Sequence, residues 1–171
     1  YRASGRVSEH LGIANEYRLS LLDMRDTLAK ALPADDPQTL NAQIEVADSR
    51  VKLGFFDNAL ELYGNAEKTA AASGQHRIAS FAKIRALTLK YLLAYENGYG
   101  PDKRNAVAEL RQLVASPAPG AEDIKLIGEV MLARIDRKEG RTDSTDAIIA
   151  RFASEGTTKP LLLHAEPVEV P

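Results

Sequence analysis

Apolar side chains recur along most of this chain at intervals of three or four residues, with polar side chains between them. That spacing places the apolar residues on one face of an α-helix, which is typical of a helix that packs against neighbours. Before residue 157, no stretch alternates apolar and polar residues for long enough to form a strand. The pattern therefore predicts an all-α protein.

Short breaks rich in glycine, proline and aspartate divide this pattern into helical segments. Because the breaks are short, consecutive helices are predicted to run antiparallel to each other. The first segment is one long helix or two nearly collinear ones. The predicted helices cover Val7 to Leu32, Pro37 to Leu53, Asp57 to Ala72, Gln75 to Tyr95, Asn105 to Ala115, Ala121 to Lys138 and Asp146 to Ala153.

Several boundaries carry specific signals. Asp36 is predicted to be an N-cap with Pro37 at the first helical position, since a carboxylate can accept a first-turn N–H and proline has none to lose. Gly54 is predicted to end one helix, and Asp57 is predicted to cap the next. An enlarged loop is predicted over residues 98–104, where two glycines and a proline occur.

One pair of helices, residues 40–73, has small and aromatic residues at a characteristic spacing. Small residues let two helices approach closely, and the aromatic residues fill the space beside them. The residues concerned are Ala47, Gly54, Phe56, Ala59, Tyr63 and Ala66. At these positions the chain resembles the tetratricopeptide repeat family.

The resemblance extends more weakly to the rest of residues 7–153. The segment from Leu32 to Leu40 is similar to the loop between the longer repeats of the kinesin light chain type. In the last unit, Ala133 and Gly140 keep the family spacing, but Thr142 replaces the aromatic residue. A helical period of about 34 to 45 residues agrees with a solenoid of such units.

The resemblance implies a right-handed superhelix of about three antiparallel helix pairs within residues 1–156. The first helix of each pair would line a concave groove that binds a protein or peptide, without catalysis. By this resemblance the predicted groove residues are Asn41, Ile44, Asp48, Lys52, Arg134, Arg137 and Lys138, with Ile127 and Val130 beside them. Chaperone-binding members hold a peptide C-terminus with lysine and asparagine, where this chain has Ile44 and Asp48, so that specificity is not expected.

Two features on the predicted helices have two interpretations each. Tyr91 and Tyr95 share one helical face, where they pack against neighbouring helices or form part of a peptide-binding wall. The basic run from Arg134 to Arg141 is a solvated helix end or part of the groove.

Composition narrows the classes of function. The 171 residues include 22 Lys and Arg against 24 Asp and Glu, and this balance does not favour a nucleic-acid partner. There is no cysteine, which excludes disulfides and thiolate metal sites. The three histidines are far apart and no catalytic constellation occurs, so no metal, no cofactor and no enzymatic activity is predicted. No apolar run approaches the length of a membrane span.

The last stretch, Thr157 to Pro171, is predicted to be an extended tail or linker. Its apolar segment Pro160 to Leu163 is predicted to pack back on the helices, covering the last repeat or lying in the groove. The stretch from Ala165 resembles Pro/Glu/Val-rich linkers of bacterial periplasmic proteins, including those that precede TonB-like C-terminal domains. Since the chain starts at Tyr1 without Met, it is expected to begin inside a longer protein or after a removed segment.

That linker resemblance carries an alternative function. The helical domain would then be a structural spacer or self-association module of a larger protein of the bacterial periplasm or envelope. The residues of the domain do not decide between this alternative and a scaffold that binds a partner.

Overall fold

In the computed structural model of this chain, residues 22–98, 100–143, 146–148 and 150 are described. All regular secondary structure in these ranges is helical, which confirms the predicted all-α class. A helix over residues 22–31 (α1) comes first. It is followed by α2 (Pro37–Lys52), α3 (Phe56–Ala72), α4 (His76–Glu96), α5 (Gly100–Ala115) and α6 (Glu122–Lys138).

Two predictions about the ends of α2 are confirmed. Asp36 is the N-cap, and its carboxylate accepts a hydrogen bond from the backbone N–H of Gln38 at 2.8 Å. Pro37 occupies the first helical position, where no backbone hydrogen bond is lost. Gly54 follows the helix with a φ of +79°, a left-handed conformation that glycine adopts without a steric penalty.

Two other boundaries correct the predictions. α5 begins at Gly100 rather than at Asn105, so most of the loop predicted over residues 98–104 is the first turn of a helix. Proline is tolerated there because the N–H groups of a first turn have no partner within the helix. Asp57 is not a cap, because α3 begins one residue before it and its N-cap, Phe55, makes no side-chain hydrogen bond.

The five helices from α2 to α6 pack in a repeated manner. Each one contacts the next along the chain, and α4 also contacts both α2 and α6. The alternate helices α2, α4 and α6 therefore lie side by side, and α4 contacts every other helix of this set. The repeated packing is the property of the fold that positions the candidate site.

The core between α2, α3 and α4 is built mainly from small residues. The predicted packing residues Ala47, Ala59, Tyr63 and Ala66 are all buried, as expected for close approach of the helices. Partly buried Phe56 packs against this cluster. The other buried alanines of the cluster are Ala70, Ala79, Ala82 and Ala86.

The core between α4, α5 and α6 uses larger side chains. Close approach of helices occurs here at Gly128, where an added Cβ would lie 2.4 Å from a Cγ of Val114. The buried members of this cluster are Ile84, Leu87, Tyr91, Ala106, Leu110, Ile124, Ile127, Met131 and Ile135.

Some predictions fall on parts of the chain that are not described. These are the beginning of the first helix, most of the helix predicted from Asp146 to Ala153, and the tail from Thr157. Within the described ranges, no helix combines the length and the apolar character that crossing a bilayer requires.

Candidate functional site

The face formed by α2, α4 and α6 carries an open groove of about 340 Å³. This volume is near the lower limit of typical ligand-binding sites. Its lining residues are Asn41, Ile44, Glu45 and Asp48 from α2, Arg77, Ile78, Phe81 and Arg85 from α4, and Ile124 and Ile127 from α6.

Helical periodicity explains why these residues share one surface. On α4, Ile78, Phe81 and Arg85 are separated by three and four residues, which places them on one face of the helix. The lining residues of α2 and α6 follow the same spacing.

The floor of the groove is apolar. The four isoleucines of the lining are buried, and Phe81 is partly buried and packs against the cores on both sides of α4. A short apolar segment would find its complement on this floor.

One end of the groove contains a polar triad from three helices, in which Tyr63 and Arg85 are buried and Asp48 is 25% exposed. Arg85 Nη2 donates to Asp48 Oδ2 at 3.0 Å, and the Tyr63 hydroxyl donates to the other carboxylate oxygen. The Arg85 side chain is 8% exposed, and its guanidinium lies 5.4 Å from the centre of the Phe81 ring. Burial, followed by the charge and hydrogen bond of Asp48, raises the pKa of Tyr63, so the hydroxyl remains a proton donor.

The rim of the groove is polar and exposed. Arg77 Nε pairs with Asp123 Oδ2 at 2.8 Å, which links α4 to α6. Both side chains are more than a third exposed, and pairs of this kind contribute at most about 1 kcal/mol to stability. Asn41 and Glu45 are exposed on the α2 side of the groove. These rim groups can therefore exchange partners at little cost.

The predicted groove residues separate into two sets. Asn41, Ile44 and Asp48 line the groove, as does Ile127 from the last unit. The other four are exposed and lie beyond the lining: Lys52, Arg134, Arg137 and Lys138. Burial and then the charge of Arg85 lower the pKa of Arg134, so this guanidinium is within electrostatic reach of the polar triad.

The contribution of the middle helix was missed by the sequence interpretation. Asp48 and Arg85 are 37 residues apart. Ile78 and Phe81 follow Asn41 and Ile44 by the same 37 residues, and they also line the groove. A search for positions 37 residues after the predicted groove residues of α2 would have identified these residues of α4.

A second polar cluster lies where the carboxyl ends of α4 and α6 meet the start of α5. The Tyr91 hydroxyl donates to Glu139 Oε1 at 3.3 Å, while Lys103 and Arg141 pair with the same carboxylate at 3.1 and 2.7 Å. Burial raises the pKa of Glu139, but hydrogen bonds from Lys103 and Arg141 outweigh it and the net pKa is lowered. Tyr91 is fully buried, which fits its interpretation as a packing residue. This cluster holds the end of α6 against its neighbours.

Tyr95 differs from Tyr91, since 39% of its surface is exposed. The Lys103 and Lys138 ammonium groups lie 5.6 and 4.7 Å from the centre of its ring. Lys138, one of the predicted groove residues, is therefore positioned by a cation–π contact at the end of the face.

The polar side chains of the groove lining are Asn41, Glu45, Asp48, Arg77 and Arg85. The lining contains no serine, threonine, cysteine, histidine or lysine. Among the residues that the structure describes, no group of three or more His, Asp or Glu side chains could hold a metal ion.

Comparison of the chain with protein-family models, with curated proteins and with solved structures gives no match.

Proposed function

We propose that this protein is a non-catalytic scaffold that binds a short protein or peptide segment in the groove across α2, α4 and α6. The observation that carries the proposal is the continuous face of these three helices, with an apolar floor and an exposed polar rim. Protein-binding sites commonly combine an apolar centre with a polar rim in this way.

We further propose that the helix pairs wind as a right-handed superhelix of about three tetratricopeptide-like repeats. Contacts between alternate helices support this arrangement, as does the burial of Ala47, Ala59 and Ala66 at the family spacing. In that arrangement the first helix of each pair faces the groove, and α2, α4 and α6 are the helices that line it.

Phe81 and Arg85 are the proposed centre of binding. Aromatic and arginine side chains near the middle of an interface commonly contribute most of the binding energy. Arg85 is held by Asp48 and stacked near the Phe81 ring, so little side-chain freedom would be lost on binding.

The test compares two matched double variants. Asn41→Arg with Glu45→Arg places two bulky cations on the rim of the groove, and both positions are exposed. Asn65→Arg with Glu61→Arg makes the same chemical change at exposed positions of α3, with the same spacing. Proteins retained from a cell extract by the wild-type chain and by each variant are identified by mass spectrometry, and their affinities are then measured by calorimetry.

We expect at least one directly binding protein whose affinity falls about tenfold or more, or about 1.4 kcal/mol, in the groove variant only. Equal affinity of every retained protein for both variants would contradict the proposal.

The alternative, a spacer or self-association module, predicts that no retained protein would depend on the groove. For a self-association module, the wild-type mass measured by light scattering would also rise with protein concentration.

A further inference from the structure

From the chemistry of the groove we infer that it is the docking site for a segment of the same chain, Pro160 to Leu163, which an external partner has to displace. This inference rests on the proposed function, because it requires the groove to bind a peptide. The segment belongs to residues 151–171, which lie outside those that the structure describes.

The first argument is the match between apolar surfaces. The segment contains three consecutive leucines after a proline. In an extended peptide alternate side chains share one side, so Leu161 and Leu163 can face the floor together. The floor offers Ile44, Phe81 and Ile127 from three adjacent helices. Contact with this floor would remove apolar leucine surface from water, which is favourable.

The second argument is charge. Glu166 and Glu169 follow the leucines along the chain. Beyond the lining of the groove, α6 exposes Arg134, Arg137 and Lys138. The carboxylates nearby are already in ion pairs, since Asp136 contacts Arg111 and Arg141, and Glu139 contacts Lys103 and Arg141. Lys138 lies against the Tyr95 ring, whereas Arg134 and Arg137 are in no ion pair with the described residues and are available to acidic residues of the segment.

The third argument is reach. Residue 150 is helical, and the last helix is predicted to end at Ala153, which leaves eight positions to Leu161. Eight extended positions span about 26 Å at about 3.3 Å each. The 17 residues of α6 form a helix about 25 Å long at 1.5 Å per residue. The connecting chain is thus about as long as the helix that borders the groove.

The absence of native cysteine makes a direct test possible. Asn41→Cys on the rim is combined with Leu162→Cys in the full chain, which leaves Leu161 and Leu163 intact. The control combines Asn65→Cys, on the exposed side of α3, with Leu162→Cys. Both double variants are oxidised under mild conditions at low protein concentration. The rate of intramolecular disulfide formation is followed by non-reducing electrophoresis and peptide mass spectrometry.

We expect the groove pair to form its disulfide about tenfold or more faster than the control pair. A docked segment raises the effective concentration of the thiols, and the bond requires Cα atoms within about 7 Å. Substitution of Glu166→Lys and Glu169→Lys in the groove pair is expected to slow its reaction severalfold. Equal rates for the groove and control pairs, as expected if the segment covers the last helix instead, would overturn the inference. A disulfide formed only between two chains would overturn it in favour of a second copy.

The outcome is distinct from that of the proposed function, because the disulfide test needs no partner. If the groove pair reacts no faster than the control while Asn41→Arg with Glu45→Arg still loses its partner, the inference fails and the binding function remains.

Discussion

The core between α2, α3 and α4 and the core between α4, α5 and α6 are packed with different kinds of side chain. Between α2, α3 and α4, small residues bring the helices together around the polar triad of Tyr63, Asp48 and Arg85. Between α4, α5 and α6, large aliphatic residues fill the core, and Tyr91 donates to Glu139 near the helix ends.

The two polar clusters share a chemical plan but differ in their access to water. In each one, a tyrosine hydroxyl donates to a carboxylate that also pairs with a cation. Arg85 is 8% exposed, whereas the cations on Glu139 are 30% and 53% exposed. Water and salt therefore screen Lys103 and Arg141 more than Arg85, although Asp48, at 25% exposed, is slightly more accessible than Glu139, at 17%. The first cluster therefore fixes the groove, while the second secures the ends of α4 and α6 at a smaller gain in stability.

The largest effect is expected for Asp48→Ala. Removal of one partner of a buried ion pair leaves the other charge poorly solvated, and such changes cost about 3 kcal/mol. A loss of this size corresponds to a fall in Tm of about 6 to 12 °C for a chain of this length. Urea and thermal unfolding followed by circular dichroism measure it. Asp57→Ala, at an exposed position in the first turn of α3, is the control. A loss below about 1 kcal/mol would show that the triad does not stabilise the core between α2, α3 and α4.

The next effect concerns close packing between α4, α5 and α6. Gly128→Ala would place a Cβ 2.4 Å from Val114 Cγ2 and 3.4 Å from Ile84 Cδ1. Overpacking of this kind costs about 1 to 3 kcal/mol of unfolding free energy, measured by urea denaturation.

The matched control is Gly64→Ala in α3, where a Cβ would meet nothing within 4 Å. This variant is expected to be more stable by about 0.5 to 1 kcal/mol because alanine favours the helix. Addition of Val114→Ala to Gly128→Ala should recover part of the loss. A stabilising Gly128→Ala would mean that α5 and α6 adjust their separation freely.

A smaller effect is expected for Glu139→Gln. The variant keeps the shape of the side chain and weakens the pairs with Lys103 and Arg141, at a cost of about 0.5 to 1 kcal/mol at low ionic strength. Unfolding in 0.05 and 1 M salt should show this difference shrinking as ions screen the cluster. The loss caused by Asp48→Ala should change little over the same range. If the stability losses of the two variants changed equally with salt, the clusters would not differ in how strongly ions screen them.

The smallest effect is the pH dependence of the Glu139 contribution. The net pKa of this carboxyl is lowered in the folded state, so between the folded and unfolded pKa values the unfolded chain binds more protons. The stabilisation is therefore fully present above the unfolded pKa of about 4.3 and is lost as pH falls through the lowered folded pKa. The stability difference between wild type and Glu139→Gln, measured from pH 7 to pH 3, should diminish at the acidic end. A difference that grows on acidification would contradict the sign of this pKa change.

The helices were predictable because their signals are local. The ends of α2, α4 and α6 agree with the hydrophobic period and with the glycines that follow them. The prediction that α5 begins at Asn105 was wrong because Gly100 and Pro101 were interpreted as helix breakers. In a first turn the missing N–H of proline costs no helical hydrogen bond, so the breaker signal is weak there.

The site was only partly predictable from the sequence. Asn41, Ile44 and Asp48 followed from the family spacing, and the structure places all three in the lining. Arg85 was missed because periodicity identifies the face of a helix but not the polar residue opposite it on another helix. Its ion pair with Asp48 joins residues 37 positions apart, and that contact depends on how α2 and α4 are placed side by side.

The position of α4 has a consequence for how the array opens. α4 contacts α2, α3, α5 and α6 and contributes side chains to both cores, while most other contacts join helices that are consecutive along the chain. If α2 or α6 detaches in a fluctuation, α4 therefore remains packed against the helices at the opposite end. We expect its amide protons to exchange with solvent more slowly than those of α2 or α6. The middle of the groove, with Phe81 and Arg85, would then keep its shape while the flanking helices fray and re-form.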